Sequence, residues 1–144
     1  MLAGSAARRY DPHMAELDYA YLADYAQIEG GKISALGASY THARVESLPL
    51  QWMTTVVGRI RAGEREGPVA LTVKITPPNN AYEINADGQI EAGPGVRPYD
   101  GKVGLLFAMT AQMPLVAEGL YEVLIYLDGE QVRRLAFDVE LIVP

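Results

Sequence analysis

Residues 121–141 read YEVLIYLDGEQVRRLAFDVEL, and this stretch decides the fold class. Tyr121, Val123, Ile125 and Leu127 take every second position, with Glu122, Leu124 and Tyr126 between them. Successive side chains of an extended chain project to opposite faces, so one row is apolar and turns to a core. Asp128-Gly129 follows, a dipeptide that adopts positive φ at low cost and suits a two-residue hairpin turn. Leu135, Phe137, Val139 and Leu141 then return on alternate positions. The spacing predicts a hairpin of two long strands whose inner rows need a second layer over them.

The same period recurs upstream. Val69, Leu71, Val73 and Ile75 line one face of VALTVKIT (69–76), which must stop at Pro77-Pro78 because proline lacks the ladder N–H. LQWMTTVVGRIR (50–61) spaces Trp52, Val56 and Ile60 along one face, and Val103, Leu105, Phe107 and Met109 face inward together. Tyr82, Ile84 and Ala86 predict a short strand turned at Asp87-Gly88. Residues 40–49 read as loop with a short strand near 43–46, and 92–102, rich in glycine and proline, as the longest loop. At the start, Leu17, Tyr19 and Tyr21 are expected to point one way, on a strand that continues through LADYAQ (22–27). Glu29-Gly30-Gly31 turns it into KISALGA (32–38).

No helical period of ten or more residues competes with this pattern. The expectation is an all-β fold, an immunoglobulin-like sandwich of two antiparallel sheets with seven to eight strands. Residues 15–144 form its single domain. Residues 1–14 read as a disordered arm, a tag remnant or a mis-start.

Composition narrows the function classes. The chain has 144 residues, enough for one core without a staple, and no cysteine, which removes disulfides and thiolate metal sites. It fits a reducing compartment, and a cytoplasmic location is expected. Twelve basic and eighteen acidic residues give a net charge of −6, which disfavours nucleic acid and anionic membranes as partners. Apolar runs fall far short of the roughly 20 residues that cross a bilayer as a helix.

Two segments carry a resemblance. LADYAQIEGGKISALGA (22–38) is similar to the opening hairpin of a family of small uncharacterised bacterial proteins with an immunoglobulin-like fold: an Asp-Tyr-Ala, a Gly-Lys turn and a glycine in the second strand. EGLYEVLIYLDGEQVRRLAFDVEL (118–141) resembles its closing hairpin. Asp24 and Tyr25 fall on the recurring pair, Gly30 to Lys32 on the turn, and Gly119, Tyr121, Asp128 and Gly129 on the final hairpin. The resemblance implies the fold and no mechanism.

No catalytic, cofactor or metal signature stands out. His13 and His42 are the only histidines and show no ligand spacing. No serine lies in a Gly-x-Ser-x-Gly elbow, and Gly93-Pro94-Gly95 lacks the Gly-Lys-Ser/Thr ending of a phosphate loop. Asp18 and Asp24 are six residues apart, roughly 20 Å along an extended strand, too far for a glycosidase pair. The remaining candidates are structural or interfacial. Asp24 reads as a carboxylate fixing a strand end. Tyr19, Tyr21 and Tyr25 share a row that packs in the core or forms an aromatic interface. Tyr121, two residues after Gly119, reads as a tyrosine corner. Arg59 and Arg61 read as a solvated strand face. Leu124 and Tyr126, with Leu106 and Ile142, lie on nominal outer rows and would form an apolar patch if exposed.

The expected function is a non-catalytic interaction or structural module. Its partner is a second copy, as a homodimer, or an unidentified bacterial protein. The alternatives are a small-molecule or carbohydrate-binding domain using Trp52, Tyr82, Tyr99 or loop aromatics, and an enzyme with a site assembled from loops.

Overall fold

The computed structural model describes residues 15–143; the expected arm of residues 1–14 lies outside the described residues. The described residues form ten strands: β1 (Glu16–Ala23), β2 (Tyr25–Glu29), β3 (Lys32–Leu36), β4 (His42–Val45), β5 (Leu50–Ala62), β6 (Val69–Thr76), β7 (Ile84–Ile90), β8 (Val103–Leu115), β9 (Gly119–Leu127) and β10 (Glu130–Leu141). They make a three-stranded sheet in the order β1-β5-β8, a five-stranded sheet in the order β4-β10-β9-β6-β7, and a separate β2-β3 hairpin. The fold is all-β and loosely resembles an immunoglobulin-like sandwich. Its ten strands and three sheets exceed the seven to eight strands in two sheets expected from the pattern, and β4 joins β10 in parallel.

The two larger sheets share one core. Val56, Ile60, Leu105 and Phe107 from one and Leu71, Val73, Tyr121, Val123, Phe137 and Val139 from the other belong to a single buried cluster. These are the rows that alternation placed inward, because each extended strand offers one apolar side and the opposite sheet removes it from water. The β9–β10 turn forms as its residues require, with φ of 48° at Asp128 and 83° at Gly129.

The Tyr121 hydroxyl locks the β8–β9 connection. It donates to the Ala117 carbonyl at 2.8 Å and accepts from the amides of Val116 and Ala117 at 2.9 and 3.2 Å. Its ring is buried and stacks on Phe137, centroids 5.4 Å apart. The corner predicted from Gly119-x-Tyr121 is therefore in place. Tyr121→Phe removes the hydroxyl and orphans these backbone groups. It is expected to lower stability by about 1–3 kcal/mol, seen as a lower urea midpoint at unchanged m-value; an unchanged midpoint would deny the corner any role in stability.

Three local readings are corrected. Asp18 is the extra residue of a bulge, since Leu17 pairs with Ile60 and Tyr19 with Arg59. A bulge advances the side-chain alternation by one, so Leu17 shares the inward face with Ile60 while Tyr19 and Tyr21 turn outward. Second, β1 stops at Ala23. The Asp24 amide donates to the carbonyls of Leu36 and Gly37, which closes the base of the β2-β3 hairpin and starts a new direction at Tyr25. Third, no turn occurs at Asp87-Gly88. Strand β7 runs through it, because the whole segment is paired to β6 and the Thr72 hydroxyl donates to the Asp87 carboxylate at 2.7 Å.

Candidate functional site

The outer face of the three-stranded sheet carries the densest set of recognition-type side chains. The register places Tyr19, Tyr21 and Ala23 of β1 beside Arg59, Val57 and Thr55 of β5, and these beside Leu106, Ala108 and Thr110 of β8. Tyr19 and Tyr21 stack with centroids 6.3 Å apart and planes at 13°. The Arg59 guanidinium lies 5.0 Å from the Tyr19 centroid and 5.8 Å from that of Tyr99. Arg61 lies 5.5 Å from the same Tyr99 ring. Tyr99 is held over β8 by its own short bridge to Lys102, amide and carbonyl exchanged at 2.7 and 3.0 Å. Its ring edge lies beside Gly104, where a Cβ would stand 3.4 Å from it.

Each cation on this face has an anion. Arg59 is forked onto Asp18, the Arg61 terminal nitrogen is 3.9 Å from Asp100, and Lys102 is 2.8 Å from Glu16. Exposed pairs of this kind contribute little stability, but they leave the patch electrically neutral on a chain of charge −6. The hydrogen bonds to Asp18 raise the Arg59 pKa, so this cation persists throughout the working pH range. Partial burial, then the neighbouring Tyr19, pushes the Tyr21 phenol up, and it stays neutral. Arg61 retains a buried Nε with no hydrogen-bond partner among the described residues.

The sequence candidates are distributed differently from their expected row. Tyr25 is not beside Tyr19 and Tyr21. It stands on the hairpin, half exposed, and its hydroxyl donates to Gln27 at 2.8 Å. The hairpin lies against the same outer face, where Ala26, Ile33 and Ala35 pack with Ala23, Val57 and Tyr21 as a second small core. Asp24 sits at its base with its carboxylate against Gly37, where an added Cβ would overlap it. Leu124 and Tyr126 lie on the outer face of the other large sheet, half-buried beneath neighbours. Lys74 sits 5.5 Å from the Tyr126 centroid, and Arg134 is opposite Leu124. They form no patch with Leu106, which belongs to the three-stranded sheet.

Trp52, Tyr82 and Tyr99, the aromatics of the binding alternative, each engage neighbours of their own. Trp52 is half-buried, edge-on to Tyr40 at 6.4 Å. Tyr82 donates to the Pro114 carbonyl at 2.5 Å, and burial pushes its phenol up to about 12. Tyr99 belongs to the arginine face. A groove of about 300 Å³ between β1 and β10, lined by Tyr21, Tyr40 and Arg134 among others, contains none of the three. His42 is exposed on β4, its Nδ1 3.0 Å from the Thr41 hydroxyl. Among the described residues no group of three or more histidines and carboxylates is close enough to hold a metal ion, and no helix is long and apolar enough to cross a membrane.

Sequence reasoning missed the parts played by Arg59, Arg61 and Tyr99. The two-residue spacing of the arginines on β5 did place both on one face. Tyr99 gave no such signal, because its loop has no periodicity.

A family model described as a family of unknown function (DUF6941) matches residues 18–140. None of the curated proteins matches the sequence. Solved structures with loose likeness include an immunoglobulin-like protein from Pseudomonas aeruginosa, 12% identical, covering 90% of this chain and 98% of that one at a TM-score of 0.44. The C-terminal domain of wzt is 9% identical, with 90% and 75% covered and a TM-score of 0.47. The alkylpurine DNA glycosylase AlkC of Pseudomonas fluorescens is 4% identical at a TM-score of 0.46; the match covers 88% of this chain but only 30% of the glycosylase.

Proposed function

The chain belongs to this family of unknown function, and on that premise we propose that it is a non-catalytic interaction module that associates with a second copy of itself through the three-stranded sheet. The observation that carries the reading is the neutral tyrosine–arginine face. Tyrosine and arginine are the residues that interfaces concentrate: tyrosine combines a large apolar ring with a polar tip and few rotating bonds, and arginine presents a planar fork of donors that also stacks on aromatic rings. Here stacking already holds Tyr19, Tyr99, Arg59 and Arg61 in place, so docking would order little that is not ordered beforehand. Two copies at −6 each repel over most of their surface; the three ion pairs make this face an exception.

Light scattering on the full chain at micromolar concentration is expected to give twice 15.7 kDa. A stable homodimer of this kind buries at least roughly 1,000 Å². A mass of 15.7 kDa at every concentration would overturn the proposal.

A further inference from the structure

Strand β8 is an edge that its own sequence leaves unguarded. It is the last strand of the order β1-β5-β8 and spans 13 residues, VGLLFAMTAQMPL. Beyond its ladder to β5 it makes no backbone–backbone hydrogen bond among the described residues. An edge of this length presents a row of N–H and C=O groups that an added strand can pair with, and proteins usually blunt such edges with charge. The other edges follow that rule: β1 has Glu16 and Asp18, β4 has Arg44, and β7 has Asp87. Alone among the ten described strands, β8 has no charged residue, and its one proline is the penultimate residue, Pro114.

Cover is thinnest in the middle. On the inward row, Phe107 and Met113 are buried, yet Met109 and Ala111 between them are only half-buried; on the outward row, Thr110 and Gln112 are exposed. The opening therefore centres on Thr110.

We infer that two copies join edge to edge, β8 antiparallel to β8 about a two-fold axis near Thr110, forming one continuous six-stranded sheet. This rests on a second copy being the partner. A two-fold sets the strand against itself, so any charge near the axis would meet its own image; β8 is the one strand free of that conflict. Pairing also satisfies the edge groups of both copies. It leaves Tyr99 and Leu106, beside the joined edges, to flank the seam.

The chain has no cysteine, so one introduced thiol reports cleanly. Directly opposed residues of an antiparallel pair have Cβ atoms about 4.5–5.5 Å apart, close enough for a strained or slightly adjusted disulfide. Thr110→Cys is expected to oxidise to a covalent dimer, whereas Lys32→Cys on the hairpin stays monomeric in the same gel. Thr110→Lys should raise the dimer dissociation constant on the order of a hundredfold, since like charges would meet at the axis. Thr110→Val also loses the 3.1 Å hydrogen bond to Thr55, but it is uncharged and should remain dimeric. Far-ultraviolet dichroism matching wild type in both variants separates lost pairing from lost folding, since a chain that loses its partner also loses the stability that association adds. If the wild-type chain is a dimer while Thr110→Cys fails to cross-link and Thr110→Lys stays dimeric, edge pairing is overturned and face docking stands. If the wild-type chain is a monomer, self-association itself falls.

Discussion

Phe137→Ala is expected to lower the unfolding free energy by about 3–5 kcal/mol, the range for deleting a buried aromatic ring. Phe137 is completely buried. Its ring stacks on Tyr121 at 5.4 Å and 17°, and meets the Tyr40 edge at 5.5 Å and 70°. Removal leaves a cavity between these rings and loses two aromatic contacts beyond the buried area. The surroundings have little freedom to collapse. Tyr121 is tied to the 116–117 backbone, and the Tyr40 hydroxyl lies 2.5 Å from the Thr54 hydroxyl. Urea unfolding followed by near-ultraviolet dichroism would measure the loss; a midpoint equal to wild type would remove Phe137 from the core.

Gly58→Ala is the second large effect, and its cause is the reverse: too much matter. Gly58 lies on the inward face of β5, opposite Ala20 of β1 and Phe107 of β8. A Cβ there would overlap the Tyr19 carbonyl oxygen and stand 2.6 Å from the Phe107 ring. The carbonyl belongs to a paired strand just after its bulge, so it cannot rotate away as a flexible side chain would. The expected loss is about 3 kcal/mol, the upper end for overpacking, with faster hydrogen exchange in β1 than in β9. Gly88→Ala supplies the control. There an added Cβ meets nothing within 4 Å and φ is not positive, so stability should change by less than about 1 kcal/mol. Equal effects at the two glycines would contradict the close approach at Gly58.

The same contrast separates what could be read along the chain from what could not. Alternation on β6, β8, β9 and β10 identified their core rows correctly, because the pleat imposes a two-residue period on any single strand. The tyrosine corner and the Asp128-Gly129 turn were legible for a similar reason: each is made within a few residues. The row of Tyr19, Tyr21 and Tyr25 was not. One bulge at Asp18 and one backbone capture of Asp24 by Leu36 and Gly37 sent these side chains to different surfaces. Neither event leaves a mark in local composition. Strand β7 was cut short at Asp87-Gly88 because that dipeptide favours a turn in isolation, and pairing with β6 overrode the preference.

The candidate surface divides along the same line. The lack of charge on β8 is a property of the sequence, but its meaning depends on β8 being an edge, which only the sheet order supplies. Arg59 and Arg61 were on one face from spacing alone. That they lie on Tyr19 and Tyr99 required β1, β5 and the 92–102 loop to meet.

The sequence by itself determined an all-β chain, the inward rows of its long strands and the chemistry of its tight turns, since these follow from dihedral preferences and alternation over a few neighbours. Tertiary structure decided how many sheets form, where the alternation slips, which strands are left as edges and which aromatic rings meet which cations. Those outcomes depend on register between segments tens of residues apart, and register is set by the packing of the whole core rather than by any one stretch of the chain.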